Sequence, residues 1–485
     1  MKRTIAYVIL FAMVLCLFGC AQKPEQSSAN NEPPTVEGFQ VGYGRVDVTP
    51  AESVPISGLG RSSMRMSTSV HDLLYATCIA VTDAEGETML MFTVDTQHSY
   101  DSVFVNARTL VSQKTGIPED HIFFTATHTH SGPDLNNAAE PTILAYRERL
   151  ALWMVDAAEL AITDRKPAMV SYGSVETEGM NFVRHYVNVN IDGTLNYFGD
   201  NYGSAVLDST TRHTTEADPT MHVVRFERPA GKDIVLVNWR AHPHVFTAAN
   251  SYKLSADFIG SFRSTMEDLN DCHFAYFQGA AGNINNASRI ASENQVLNKD
   301  YGQYGYVMAQ YCSKALENMT PSNGEDVKVI QLKKELEVDH DEDHLVAYAV
   351  QVQSLWNSGN SQAQVNEFGL QYGIHSPYHA NYIVSNSKRP ATITSELNAV
   401  SVGDTISFVT APHELFDTQS VWLEEHSPYE LTMMFCYTNG ANSYVPSDYV
   451  YEYGSYECDA AFVRRGSAEI LQEQYLEMLN SLMEQ

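Results

Sequence analysis

Apolar runs in this chain repeatedly stop at a polar residue able to do chemistry. Residues 89–94 close at Asp95, and residues 122–126 lead through Thr127 to His128. Residues 234–237 run into Asn238-Trp239-Arg240-Ala241-His242, while 273–277 break at Gly279-Ala280-Ala281-Gly282-Asn283. Residues 405–409 precede Ala411-Pro412-His413-Glu414, and 431–435 precede Asn439-Gly440 and Tyr444. Such short runs, rich in Val, Ile, Phe and Met, read as buried strands. Longer patterned stretches predict helices near 103–113, 146–160, 301–317, 341–356 and 467–483. The expected fold is α/β, a mixed-sheet core covered by helices, with metal-competent residues on loops at strand ends. No internal repeat and no second linker is visible, so residues 39–485 are expected to form one domain.

The N-terminus departs from this pattern. Lys2 and Arg3 precede an apolar run over 5–18, too short to span a membrane as a helix. It reads as the apolar core of a secretory signal. Leu17-Phe18-Gly19-Cys20 looks like a bacterial lipobox, which makes 1–19 a signal peptide and Cys20 the lipidated first residue of the mature chain. Residues 20–38, with Gln, Ser, Asn and Pro33-Pro34, read as a flexible tether. The expected location is extracytoplasmic, with the domain anchored to a bacterial cell membrane as a lipoprotein.

Charge and cysteines narrow the classes. The formal net charge is −29, and loss of Lys2 and Arg3 makes it more negative. That surface argues against nucleic acid and against direct adsorption on anionic lipid. Beyond Cys20 stand Cys78, Cys272, Cys312, Cys436 and Cys458, an odd set without a Cys-x-x-Cys pair. It defines neither a zinc ribbon nor a disulfide framework. Cys436 and Cys458 either pair or remain buried free thiols.

The histidines carry the strongest signal. Thr127-His128-Thr129-His130-Ser131-Gly132-Pro133 places two imidazoles at a strand mouth, and His242-Pro243-His244 and Glu414 stand at others. A catalytic zinc needs about three protein ligands and an open position. His128 or His130, a histidine of the 242–244 pair, and Glu414 supply that number.

Ordered motifs then mark a resemblance. Val41-Gly42-Tyr43-Gly44-Arg45-Val46-Asp47-Val48-Thr49-Pro50, His71–Ala76, the 127–133 stretch, Asp218-Pro219 to Arg225-Phe226, Asn238 to Pro243, and Asn439-Gly440 to Tyr444-Val445-Pro446 occur in one order. In this the chain resembles the neutral (non-lysosomal) ceramidases. The resemblance implies zinc held by His128, His242, Glu414 and Tyr444. It implies Tyr456 as donor to the developing oxyanion, His130 as proton shuttle or substrate-holding group, and Arg184 as a substrate-binding residue. The implied reaction is metal-assisted hydrolysis of a ceramide-like N-acyl amide. The alternatives are a binding lipoprotein that keeps the fold without turnover, or a zinc hydrolase of another ester or amide.

Two departures qualify the resemblance. Where those ceramidases carry a serine important for activity, this chain has Gly282-Asn283-Ile284-Asn285-Asn286. Asparagine cannot be a nucleophile, and Ser288 lies three positions further on. Asn285 is expected to orient substrate or water through its amide. The second departure is that the residues after the tyrosine motif are too few for the β-sandwich that follows the catalytic domain in full ceramidases.

Overall fold

A computed structural model describes residues 38–58, 65–203, 206–246, 252–295 and 301–485. The expected signal peptide and nearly all of the expected tether lie outside the described residues. Among the described residues no helix is long and apolar enough to cross a membrane.

Three sheets repeat one topology. In each, three successive antiparallel strands lead to a helix, then to a fourth strand parallel to the third, then to a second helix. The first unit contains strands Gln40–Asp47, Tyr75–Thr82 and Thr88–Val94, helix Asp101–Thr115, strand Ile122–Ala126 and helix Pro141–Thr163. The second contains Met169–Glu176, Thr220–Glu227 and Ile234–Trp239, helix Phe258–Asn270, strand His273–Gln278 and helix Tyr301–Leu316. The third contains Val327–Glu337, Thr392–Val402 and Ile406–Thr410, helix Asp417–His426, strand Leu431–Phe435 and helix Ser467–Met483. In the first two units the chain then adds a two-residue edge strand, Lys166–Pro167 or Thr320–Pro321, against that unit's first strand. This corrects the expectation of no repeat: the repetition is in topology and not in residue identity.

Burial explains the arrangement. Val41, Ile79 and Met91 of the first sheet meet Val224, Leu236 and Phe277 of the second and Val400, Phe408 and Phe435 of the third in one shared core. Each sheet turns its other face to its own two helices, as Phe92 and Phe124 do toward Phe104 and Met154. The second and third sheets do the same with their helix pairs. Strands buried on both faces lose the alternation of an exposed sheet, hence the continuous apolar runs.

The parallel strand pairs lie at the inner edges of the sheets and their C-terminal ends are stitched together. Ala126 N–H donates to the Tyr437 carbonyl at 3.1 Å, and Cys436 N–H to the Gln278 carbonyl at 3.0 Å. Asn238 Nδ2 bridges the carbonyls of Phe277 and Met434 at 3.0 and 3.1 Å. Because the first strand of each unit runs parallel to the third, the first-to-second connections emerge at this same end. These connections are 48–74, 177–219 and 338–391, and they carry the longest insertions. Loops from all three units therefore surround one point.

Most expected elements are present with shifted ends, such as helix Pro141–Thr163 for 146–160. The helix expected from 341 starts at Val346, because Asp343–Leu345 form a 3₁₀ turn first. Cys78, Cys272, Cys312, Cys436 and Cys458 are all free thiols, so Cys436 and Cys458 do not pair.

Candidate metal centre

The centre begins with a backbone constraint. After strand Ile122–Ala126 the chain turns through His128 at φ 65°, a left-handed conformation uncommon for a residue with a side chain. The turn is held by His128 N–H donating to the Thr96 carbonyl at 3.0 Å and by Thr129 Oγ1 donating to the Ser255 carbonyl at 2.8 Å. Asp72 accepts from Ser255 Oγ and from Ala256 N–H, so the His71-Asp72 motif braces this loop from outside.

Three imidazoles are then oriented alike. Nδ1 of His128 donates to the Gln97 carbonyl at 2.7 Å, Nδ1 of His130 to the Gly58 carbonyl at 2.7 Å, and Nδ1 of His242 to the Ile284 carbonyl at 3.0 Å. Each bond fixes the tautomer that leaves Nε2 as a lone pair. Gly58 has φ +94°, and a Cβ there would sit 2.4 Å from His130 Cβ, so glycine is required for that approach. The Nε2 atoms of His128 and His130 are 3.1 Å apart. Glu414 Oε2 lies 3.6 Å from His128 Nε2 and 3.5 Å from His242 Nε2.

Electrostatics match a cation ligand set. Burial, followed by the neighbouring histidines, pulls His128 and His130 well below the ordinary imidazole value. Burial and then the Arg184 charge take His242 down to about 3. All three are neutral at neutral pH, the protonation state that binds metals. Two facing lone pairs at 3.1 Å repel unless a proton or cation lies between them, and burial disfavours the proton. Glu414 Oε2 is buried without a hydrogen-bond partner, an expensive condition unless a cation completes it. The residues present therefore fit a metal ion, and His128, His130 and His242 form a group whose ligand atoms can share one.

Glu414 and Tyr444 are directly paired in a short parallel bridge, Glu414–Leu415 against Tyr444–Val445, which sets their side chains together. Tyr444 Oη is 3.4 Å from His242 Nε2 and accepts from Arg184 Nη2 at 3.2 Å. Gly282 permits this approach, since a Cβ would meet the Glu414 carbonyl oxygen at 2.6 Å. Tyr456 stands edge-on to Tyr444 with ring centroids 5.8 Å apart, and edge-on to Tyr378 at 5.3 Å. Burial raises the Tyr456 phenol above its ordinary value, which keeps it a donor.

Arg184 is buried and engaged by protein. Its Nε donates to Glu457 Oε1 at 2.5 Å and its Nη2 to the Gly282 carbonyl at 2.6 Å as well as to Tyr444. His185 Nε2 meets the other Glu457 oxygen at 2.7 Å. Asn285 Nδ2 donates to Asp200 at 2.8 Å, its Oδ1 is buried without a partner, and its backbone bridges to His242. Ser288 instead lies against His213, at 3.2 Å, with Glu293 on the same imidazole nitrogen. That geometry lacks the carboxylate on the far nitrogen that a nucleophile triad needs.

Sequence reasoning missed several members. His98 Nε2 is 3.7 Å from Glu414 Oε1, and its ring is 5.0 Å from that of His128. It follows the 88–94 strand just as His128 follows 122–126, so the strand-end rule would have found it. Glu457 and His185 carry no such signal, because their burial is tertiary. Asp218 and Arg240, within the ordered motifs, are structural: Arg240 pairs with Asp218 at 2.9 Å and Glu424 at 3.0 Å.

The fold and this cluster define a metal-competent centre with candidate ligands drawn from three repeated units. The chain belongs to the neutral/alkaline non-lysosomal ceramidase family, whose N-terminal model matches residues 39–322. That span holds His128, His130, Arg184 and His242; Glu414, Tyr444 and Tyr456 lie beyond it. The fold is similar to that of neutral ceramidase from Pseudomonas aeruginosa, at TM-score 0.66 and 17% identity, over 93% of this chain and 75% of that one. It is also similar to a structure described as a ceramidase complexed with C2, at TM-score 0.66 and 16% identity, over 93% of this chain and 76% of that one. A search of the curated proteins gave no match.

Proposed function

We propose that this chain is a zinc-dependent amidohydrolase that cleaves the N-acyl amide of a ceramide-like lipid. We propose further that it works outside the cytoplasm, attached to the membrane through lipid on Cys20. The observation that carries the catalytic reading is the neutral His128 and His242 Nε2 atoms facing an unpartnered Glu414 oxygen, with Tyr444 beside them. His128, His242, Glu414 and Tyr444 would hold the ion, and His130 faces the same point. Zinc, when bound, supplies Lewis acidity toward the amide carbonyl and lowers the pKa of water toward neutrality.

The chain's own groups do the rest. Tyr456, kept protonated by burial, donates to the oxygen that gains charge as the carbonyl becomes tetrahedral. His130, with Nδ1 fixed on Gly58, offers Nε2 to take a proton from the attacking water and return it to the departing amine. Arg184 holds Tyr444 in place from behind. Asn285, with one amide oxygen unpartnered beside His242, orients water or the substrate's polar head.

The test is a panel of short-chain ceramides, other N-acyl amides and esters, offered to wild type and His128→Ala. Hydrolysis of N-acyl amides by wild type alone supports the reading. Ester turnover without amide turnover moves the substrate class, and equal turnover by both proteins removes the site.

A further inference from the structure

A second group of metal-competent side chains draws together away from the active centre: His375, His379 and Asp459. They belong to the third insertion and to the helix that carries Tyr456. Residues 338–391 fold into helices Val346–Asn357, Gln362–Leu370 and Pro377–Asn386 around a small core that includes Ala349, Val352 and Ile383. His375 precedes the cap Ser376, and His379 lies in the first turn, its N–H bonded to Ser376 Oγ at 2.9 Å. His375 Nε2 lies 3.0 and 3.1 Å from the two oxygens of Asp459. Glu342 Oε2 lies 2.6 Å from His379 Nε2. The two imidazoles stack with centroids 4.1 Å apart, and Ser376 Oγ donates to Asp459 Oδ2 at 2.7 Å.

We propose that His375, His379, Asp459 and Glu342 form a second divalent-cation site, of the zinc class, that clamps the helical insertion onto the Tyr456–Ala460 helix. Zinc accepts imidazole nitrogens and carboxylate oxygens as ligands, and two of each fill its four tetrahedral positions. Ligand bonds of about 2.0–2.1 Å place tetrahedral neighbours about 3.3 Å apart, close to the separations between His375 and Asp459. Asp459 and His379 are only 6% and 7% exposed. Asp459, against His375, and Glu342, against His379, bring two negative charges to the imidazole pair, and one dication would balance them. The ligands come from three chain segments, so an ion would add a direct tie to the backbone bonds, such as Asp339 N–H to the Phe462 carbonyl at 3.3 Å, that already link the insertion to the segment after Tyr456. The joined parts matter to the centre, because Tyr378 beside His379 packs edge-on against Tyr456.

The rival is a set of imidazole–carboxylate hydrogen bonds held by protons alone. The test strips the purified protein with a chelator, reloads it with zinc, removes the excess and counts zinc per chain. Wild type is expected to hold two, and His242→Ala and His375→Gln one each. His375 is partly exposed and glutamine keeps a polar contact, so that variant should fold; circular dichroism checks it. His242→Ala loaded with cobalt(II) should still show the ligand-field bands of a nitrogen–oxygen site, and His375→Gln should remove them in that background. One zinc in wild type, lost in His242→Ala and kept in His375→Gln, overturns the second site and leaves the proposed function standing. One zinc kept in His242→Ala and lost in His375→Gln upholds the second site and overturns the first.

Discussion

Two buried networks meet at Tyr444 and handle charge in opposite ways. On one side Arg184, Glu457 and His185 are mutually satisfied, with bonds of 2.5 and 2.7 Å. Burial would push the Glu457 carboxyl up, but the Arg184 charge outweighs it and holds the group far below the usual carboxylate range. On the other side His128, His130 and His242 place Nδ1 on backbone carbonyls and turn Nε2 inward, where Glu414 Oε2 is buried without a hydrogen-bond partner. There burial raises Glu414 against the smaller opposing pull of His98, Tyr444 and Arg184, and it lowers the histidines. The first network is complete as folded and the second is built to receive something. Their contrast separates residues that hold the site from residues that act in it.

Substitutions sharpen that contrast. His128→Ala should lower turnover by more than about 10³-fold, beyond the loss of a single oxyanion donor, and should also lower zinc retention. Tyr456→Phe should lower kcat by about 10²–10³-fold with KM little changed, because its bond strengthens only at the transition state. Glu457→Gln leaves the Arg184 charge buried and unpaired, which should cost about 3–5 kcal/mol in urea unfolding. If Glu457→Gln instead left stability intact and removed only zinc, the two networks would not be separate.

A pH prediction uses a carboxylate that the proposed centre does not include. Burial would raise Glu424, but the Arg240 charge beside it brings the group down to about 2. A depressed carboxylate stabilises the fold fully above its unfolded value, about 4.3, and loses that contribution as pH falls toward 2. Wild type should therefore lose stability between those values more steeply than Glu424→Gln, read as Tm against pH. The smallest effect belongs to Asn285→Ser, expected to change turnover by less than about tenfold, ~1.4 kcal/mol in barrier.

Much of this was legible because the candidate ligands sit where fully buried strands end. Runs such as 122–126 and 431–435 have a sharp apolar-to-polar edge that survives without any partner in view. The outer strands were harder to see. Val327–Glu337 alternates Lys and Glu with apolar residues and is only partly buried, so it lacks that edge. Met169–Glu176 is broken by Gly173, where a Cβ would crowd Met319 Sδ at 3.1 Å. The threefold topology was invisible because the connecting loops differ in length and each unit brings different residue types to the centre. His130 shows a finer limit: the resemblance alone set it apart from His128, and the Gln97 and Gly58 carbonyls turn the two Nε2 atoms to one point.

The most direct test of the central claim is amide hydrolysis of a short-chain ceramide by chelator-stripped protein, with and without added zinc, for wild type and His128→Ala. Stripped wild type should be inactive and regain turnover with zinc, while His128→Ala should stay inactive in both. Undiminished turnover by the stripped wild type, or zinc-restored turnover in His128→Ala, would contradict the account.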